Sequence, residues 1–185
     1  LNAVSDDVTL VPGENAGQLV SLTTHKPAEP IDVVFPVLHG PFGEDGTVQG
    51  LLKIANVPFV GPSVLGSAVG MDKDVAKRLL RDAGIPTAKF VVFDRSSMNQ
   101  VNFQEVKNYL GMPLFIKPAN LGSSVGISKA RDKKQFEQAV AVAFRYDNKI
   151  IIEEFIAGRE IECSVLGNDD PIVSLPGGIL PNDDF

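Results

Sequence analysis

The sequence predicts two architectures in one chain, an α/β unit followed by an α+β region, on three observations. IDVVFPVLHG, residues 31–40, is a continuous apolar run ending in His-Gly, the pattern of a buried parallel strand that opens into a loop. From Met71 onward, amphipathic helices and short strands alternate too quickly for a doubly wound sheet, so antiparallel strands with helices on one face are expected. Between the two lies GPSVLGSAVG, residues 61–70, whose small residues mark a boundary.

The elements follow in chain order. Residues 1–30 are polar and irregular, with a turn at Pro12–Gly13 and prolines around AEPID. TVQGLLKIANV has helical spacing at Val48, Leu51, Leu52 and Ala55, and PFVGP reads as a short strand. MDKDVAKRLLRDAG is an amphipathic helix with Asp72 as its cap and Gly84 as its stop. IPTAKFVVFD is a strand, NFQEVKNYLG a helix, PLFIKPA a strand and VGISKA a shorter strand. DKKQFEQAVAVAFRYD is a helix with apolar residues at 136, 139, 140 and 143. NKIIIEEFI is a strand, and GREIECSVLGN pairs with PIVSL as a hairpin. Cys163 sits in the alternating run EIECSVLG and is expected as a packed strand thiol rather than a nucleophile. The chain starts at Leu1 and stops inside the loop-like PNDDF, so it reads as the middle of a longer protein.

Bulk properties exclude several classes. A length of 185 residues suits one domain or two small ones, and 44% hydrophobic with 22% charged residues is ordinary for a soluble globular chain. A net charge of −6 argues against a nucleic-acid surface, so any phosphate site has to be a local basic pocket. No apolar run is long enough for a membrane span, and no signal peptide opens the chain. The single cysteine excludes an internal disulfide. A cytoplasmic location fits.

Three stretches carry chemistry. PLFIKPANLGSSVGISKA sets a loop of Gly and Ser between two strands, with Lys117 and Lys129 on either side. Such a loop can close on a polyanion, because Gly admits close backbone approach and Ser adds hydroxyl donors; on composition alone it is equally an ordinary mobile hairpin. It matches neither of the two best-known phosphate-loop patterns. IIIEEFIAGREIE runs an apolar strand into paired glutamates, where exposed backbone can meet a base and a later carboxylate can meet ribose; the alternative is a solvated acidic edge. LHGPFGEDGTVQG packs His39, Glu44 and Asp45 among glycines directly after an apolar run, either as a substrate loop or as a helix-entry loop capped by Asp45. His25 reads as a solvated loop residue.

HGPFGEDGTVQG, GSAVGMDKDVAK, FIKPANLGSSVGISK and EEFIAGREIECSVLGN, in this order and spacing, resemble the D-alanine–D-alanine ligases of the ATP-grasp superfamily. The resemblance runs from about Ile31 to Asn168. It implies a partial amino-terminal α/β (preATP-grasp) domain over residues 1–62, a central ATP-grasp domain over 63–156 and the start of a carboxy-terminal ATP-grasp domain over 157–185. By position, Lys73 and Lys117 match ATP-phosphate lysines. Gly122, Ser123, Ser124 and Val125 match the loop that closes over the phosphates, with Ser123 and Ser124 as its catalytic candidates. Glu153, Glu154, Phe155 and Ile156 match the adenine linker, and Glu160 the ribose contact. His39 matches the histidine beside the first D-alanine, with Glu44 as its support.

The activity so implied is ATP-dependent joining of two D-alanines through an acyl phosphate, for peptidoglycan, by a homodimeric enzyme using Mg²⁺ or Mn²⁺. Several family features have no match here: an early glycine-rich loop with a glutamate, an arginine by the reacting carboxylate, a tyrosine-bearing loop, and the metal ligands, expected beyond Phe185. Gly178 stands where the family usually has glutamate. The chain alone is therefore expected to be inactive. Two other readings stand beside this one: a ligase with another acceptor, such as D-lactate, and a nucleotide-binding fragment without catalysis.

Overall fold

In the computed structural model, the described residues are 7–12, 18–28 and 30–180. The expected Pro12–Gly13 turn and the PNDDF end lie wholly or partly outside them.

The centre of the molecule is a four-stranded antiparallel sheet. Its strands are β3 (Phe90–Asp94), β4 (Leu114–Pro118), β5 (Ser128–Ala130) and β6 (Lys149–Glu154), in the order β3-β6-β4-β5. Alternation along β4 and β6 sends Leu114, Ile116, Ile150 and Ile152 to one face, all fully buried. Helices α4 (Phe103–Leu110) and α5 (Lys133–Tyr146) cover that face through Val106, Leu110, Phe136, Ala139, Val140, Ala143 and Phe144. Asn102 and Asp132 cap these helices by accepting N–H bonds from their first turns.

The opposite face has a different character. It carries Phe90, Phe115, Lys117 and Glu153, and α3 (Lys73–Asp82) runs beside it, with Lys77 and Arg81 over the Phe90 ring. Helices thus flank both faces, not one as the alternation alone suggested. The α3 boundaries are set by Asp72, whose carboxylate accepts from the N–H groups of Asp74 and Val75, and by Gly84 in a left-handed conformation.

The amino-terminal region departs further from expectation. Residues 8–11 and 18–21 are not irregular: β1 (Val8–Val11) pairs antiparallel with β2 (Gln18–Ser21). The run IDVVFPVLHG is not a buried strand. Among the described residues its only pairing is one parallel bridge, Val34 to Phe59, and Phe35 and Val37 are each 71% exposed. A parallel strand is buried by its neighbours, and among the described residues only the short PFV stretch lies beside this one. PFV is accordingly a bridge rather than a strand. Helix α1 (Thr47–Ile54) forms as read and packs Leu52 into a small cluster with Ala55 and Val57. The small-residue stretch 61–70 is mostly helix, α2 (Val64–Met71), because Ser63 caps it by accepting from the Gly66 N–H at 3.2 Å.

Beyond Glu154 the expected hairpin divides into two ladders. β7 (Glu160–Glu162) pairs with β10 (Gly177–Ile179), and β8 (Val165–Leu166) with β9 (Ile172–Val173). Cys163 lies between β7 and β8 and is exposed, because no described element covers these hairpins. The packed-thiol expectation is corrected accordingly.

Candidate functional site

The site grows from the sheet face that the core does not use. Lys117 sits on β4 one residue past buried Ile116, so the strand's period of two points its stem away from the core. On the neighbouring strand Glu153 is a diagonal partner, and Lys117 Nζ meets its Oε2 at 2.6 Å. Lys77 Nζ reaches Oε1 of the same carboxylate at 2.9 Å from the second turn of α3. Burial pushes the Glu153 carboxyl up, but the hydrogen bonds and charges of Lys117 and Lys77 outweigh it and hold the group below its usual range. One carboxylate thus organises two cations, of which Lys77 also donates to the Ala88 carbonyl at 3.3 Å.

Lys73 is the third cation. It opens α3, where its backbone N–H donates to Ala119 O at 3.0 Å, and its ammonium donates to the Ala119 and Leu121 carbonyls. Burial, then the nearby Lys117 charge, lowers its pKa, against the opposing pull of Glu153, Asp147 and Asp72. The helix start is itself anchored: Lys149 Nζ lies 2.5 Å from Asp72 Oδ2 and 3.5 Å from Asp74 Oδ2. Burial raises the Asp72 pKa, but the Lys149 ammonium and the Val75 N–H outweigh it and keep the group ionised lower than usual.

The loop between β4 and β5 lies beside these cations. Ser123 and Ser124 both have positive φ, 51° and 58°, and with Val125 they are exposed. Positive φ at two successive non-Gly residues turns the backbone sharply, an unusual conformation for serine. At the loop's near end, Gly122 approaches the first region: a Cβ there would lie 3.6 Å from Glu44 Oε2. Glu44 is tied into its own loop, with Oε2 accepting from the Gly40 N–H at 2.5 Å. Asp45 accepts from the Phe42 and Thr47 N–H groups, and the Phe42 bond leads in holding its carboxyl below the usual range.

A cavity of about 490 Å³ joins these parts, lined among others by Glu44, Gln49, Ser67, Lys73 and Gly122. Gln49 is 95% buried; its Nε2 donates to Gly43 O at 3.0 Å, and its Oε1 has no partner among the described residues. His39 lines a separate concavity with Phe42, Val48 and Leu51. His25 is exposed with φ 58°, as a loop residue should be.

The β6 ladder ends at Glu154, and Phe155 and Ile156 follow outside any strand. Glu154 Oε1 accepts the Lys89 N–H at 2.7 Å, so its side chain fastens the strand end. The Phe155 ring lies 6.1 Å from that of Phe115, with Lys129 Nζ 4.5 Å above Phe155, a flat cationic-aromatic platform at the sheet edge. Glu160 is exposed on β7.

Of the residues singled out in the sequence, the fold gathers Lys73, Lys117, Glu153, Gly122 and Glu44; it leaves His39 and Glu160 outside that cluster. Lys77 and Lys149 were not singled out. Lys77 is readable as the residue four past Lys73 on one helix face, whereas Lys149 meets Asp72 across 77 positions, with no local signal. Among the described residues, no group of three or more His, Cys, Asp or Glu is placed to hold a metal ion.

Known proteins resemble the chain along most of its length. The family described as D-ala D-ala ligase C-terminus matches residues 79–185, and D-ala D-ala ligase N-terminus matches residues 2–62. The D-alanine–D-alanine ligase of Oceanobacillus iheyensis is 50% identical over 185 residues, covering 100% of this chain and 50% of the relative. D-alanine–D-alanine ligase A of Salmonella typhimurium is 53% identical over 95% of this chain and 48% of its own length. The chain therefore spans about half the length of the curated relatives it matches. Among solved structures, the D-alanine-D-alanine ligase of Coxiella burnetii superposes with a TM-score of 0.86 at 39% identity, over 95% of this chain and 50% of that one. The VanG D-Ala:D-Ser ligase of Enterococcus faecalis gives 0.84, also at 39% identity, over 94% of this chain and 49% of that one.

Proposed function

The chain belongs to the D-alanine–D-alanine ligase family, and on that premise we propose that it is the ATP-binding half of an enzyme that joins two D-alanines for peptidoglycan. The observation that carries the reading is the arrangement of Lys73, Lys77 and Lys117 around Glu153, beside a Gly-Ser loop and an open strand end. ATP supplies the phosphoryl group that makes a carboxylate reactive toward an amine. In this reading Lys73 and Lys117 hold its phosphates, residues 122–125 cover them, and water is thereby kept from the reacting carboxyl. The backbone of Glu154–Ile156 meets the adenine edge, and Glu160 the ribose.

Lys117 keeps two ammonium protons for phosphate while Glu153 fixes its position, so binding does not require the lysine to be reoriented. Glu44, beside Gly122, and the unpartnered Gln49 Oε1 favour the adjoining cavity for a substrate that brings a hydrogen-bond donor, as an amino acid ammonium does. His39 lines a neighbouring concavity that shares Leu38 and Gly43 with this cavity, and its proposed place beside the first D-alanine is from that side. The described residues offer Mg²⁺ no ligand set. Among them no helix is long and apolar enough to cross a membrane, and a cytoplasmic homodimer is the assembly proposed for the whole protein.

The likeness to a D-Ala:D-Ser ligase, equal in identity to that with the Coxiella enzyme, keeps the acceptor open. The test is phosphate and dipeptide release by the full-length protein with ATP, Mg²⁺ and D-alanine, alone and with D-serine or D-lactate added. D-alanyl-D-alanine is the expected product. Release of a mixed product alone would move the enzyme to the other acceptor class, and no D-alanine-dependent phosphate release would sink the reading. Residues 1–185 alone are proposed to bind nucleotide without turnover.

A further inference from the structure

One short turn reaches both ends of the Gly-Ser loop and the start of α3. Residues 147–148 connect α5 to β6, flanked by Tyr146, the last residue of the helix, and Lys149, the first of the strand. Asp147 Oδ2 accepts the Asn120 backbone N–H at 2.8 Å and its side-chain amide at 3.0 Å, and Oδ1 accepts the Lys149 N–H at 3.2 Å. Asn120 is the residue at which the loop leaves β4. At the other end, Gly126 has φ 73°, and a Cβ there would fall 2.8 Å from both Tyr146 Cδ2 and Pro118 Cγ. The Tyr146 ring therefore closes against the residue at which the loop returns. Lys149 adds the third tie, through Asp72 and Asp74 to the helix that carries Lys73, and its carbonyl accepts the Ala119 N–H at 3.0 Å.

The turn is itself braced. The Arg95 backbone N–H donates to Asn148 O at 2.7 Å, and its guanidinium donates to Asn148 Oδ1 at 2.8 Å, to Asp147 O at 3.2 Å and to Phe144 O. Helix stability does not explain Asp147: it is the C-cap of α5, where the helix dipole disfavours a carboxylate. Its side chain is instead used up on the loop and on the turn.

Resting on the reading of this loop as the phosphate cover, we propose that the 146–149 turn is its hinge block. Asp147 fixes the loop's start, Tyr146 fixes its end, and Lys149 ties both to the Lys73 end of α3, whose ammonium also holds the Leu121 carbonyl, so closure is confined to Gly122–Val125. Asp147 and Tyr146 are positioning residues; neither touches nucleotide. A loop anchored at two points on one rigid turn loses less freedom on closing than one that moves as a whole.

The experiment is a double-mutant cycle in the full-length protein, reading the KM for ATP and kcat, with the melting temperature as a check on folding. Asp147→Ala should raise the KM for ATP about tenfold, as loss of a charge-assisted hydrogen bond does; Asn120→Ala keeps the backbone N–H that donates to Asp147 and should raise it by less. The double variant should be little worse than Asp147→Ala alone, because that variant already lacks the acceptor of the amide that Asn120→Ala removes. Asp147→Asn keeps an acceptor for the Asn120 N–H and should recover part of the loss; it also serves if Asp147→Ala does not fold. Tyr146→Ala should raise the KM for ATP and leave the melting temperature nearly unchanged. Effects that multiply in the double variant, or an unchanged KM in folded variants, would overturn the hinge. Lys73→Ala, run alongside, separates the two levels. If it weakens ATP binding while Asp147→Ala does not, only the hinge fails; if neither does, the phosphate reading fails with it.

Discussion

Lys117 and Glu153 form a diagonal pair across β4 and β6, with Nζ 2.6 Å from Oε2, on the sheet face opposite the core. Glu153 is 7% exposed and also holds Lys77, so Lys117 is fixed before any ligand arrives. Lys117→Ala removes one charge-assisted contact to phosphate. A loss of about 1.5–3 kcal/mol corresponds to roughly ten- to a hundredfold in kcat/KM for ATP. Both KM and kcat should change in the full-length protein, because phosphate is charged in ground and transition states alike. Unchanged ATP kinetics in a folded variant would leave Lys117 a structural partner of Glu153.

The same carboxylate gives a pH-dependent stability. Its folded pKa lies below the ordinary 4.5, so its contribution is complete above that value and is lost as pH falls through the lower, folded one. Glu153→Gln should therefore lower the melting temperature at neutral pH and bring it closer to wild type in acid. Removing one partner of a buried pair costs up to about 3 kcal/mol, since two lysines are left without their counter-charge. A constant difference between variant and wild type from pH 7 to pH 2 would refute this linkage.

Lys73 makes the converse prediction for ligand binding. Burial and the neighbouring Lys117 charge depress its pKa below 10.5, so its ammonium is lost earlier than usual as the solution becomes alkaline. ATP affinity, followed by titration calorimetry, should fall through that lower range, and Lys73→Met should abolish the Lys73 part of the fall. A variant with the same alkaline profile as wild type would place Lys73 away from the phosphates.

What the sequence discloses depends on where each element's burial comes from. α5 and β6 are legible because their apolar spacing already contains the face they bury, as Phe136, Val140, Ile150 and Ile152 show. Residues 33–38 are apolar throughout, but a parallel strand acquires its burial from neighbours that its own sequence does not describe. α2 is hidden for a different reason: Gly, Ser and Ala read as a linker, and only Ser63 hints at a helix start. In the site, the lysines and the Gly-Ser loop stand out as local patterns. The tie between Asp147 and Asn120 joins residues 27 apart, and no periodicity reports it.

Gly43 tests whether the first loop serves the carboxylate substrate rather than ATP. A Cβ at this position would sit 2.5 Å from Leu38 Cβ and 3.2 Å from the Leu38 carbonyl carbon, neither of which can swing aside. Gly43→Ala must displace the backbone that accepts the Gln49 amide and precedes Glu44. The expected result is a several-fold higher KM for D-alanine, little change in the KM for ATP, and about 1–3 kcal/mol lost in stability. Equal effects on both substrates would mean that the distortion spreads into the lysine cluster.

Ser123 allows the hydroxyl and the backbone to be separated, because its φ of 51° lies where alanine is strained and glycine is not. Ser123→Ala loses the hydroxyl and keeps the strain; Ser123→Gly loses the hydroxyl and relieves it. If Ser123 donates to charge developing on the phosphoryl group, both variants should lower kcat by about a hundredfold, the usual cost of one preorganised donor. The backbone component should appear separately. Glycine favours the left-handed conformation already present, so Ser123→Gly should have the lower KM for ATP of the two, by a few-fold. Steady-state kinetics of both variants in the full-length protein decide the matter. A normal kcat in Ser123→Gly together with a reduced one in Ser123→Ala would show that position 123 serves the loop through its backbone, and would move the catalytic hydroxyl to Ser124.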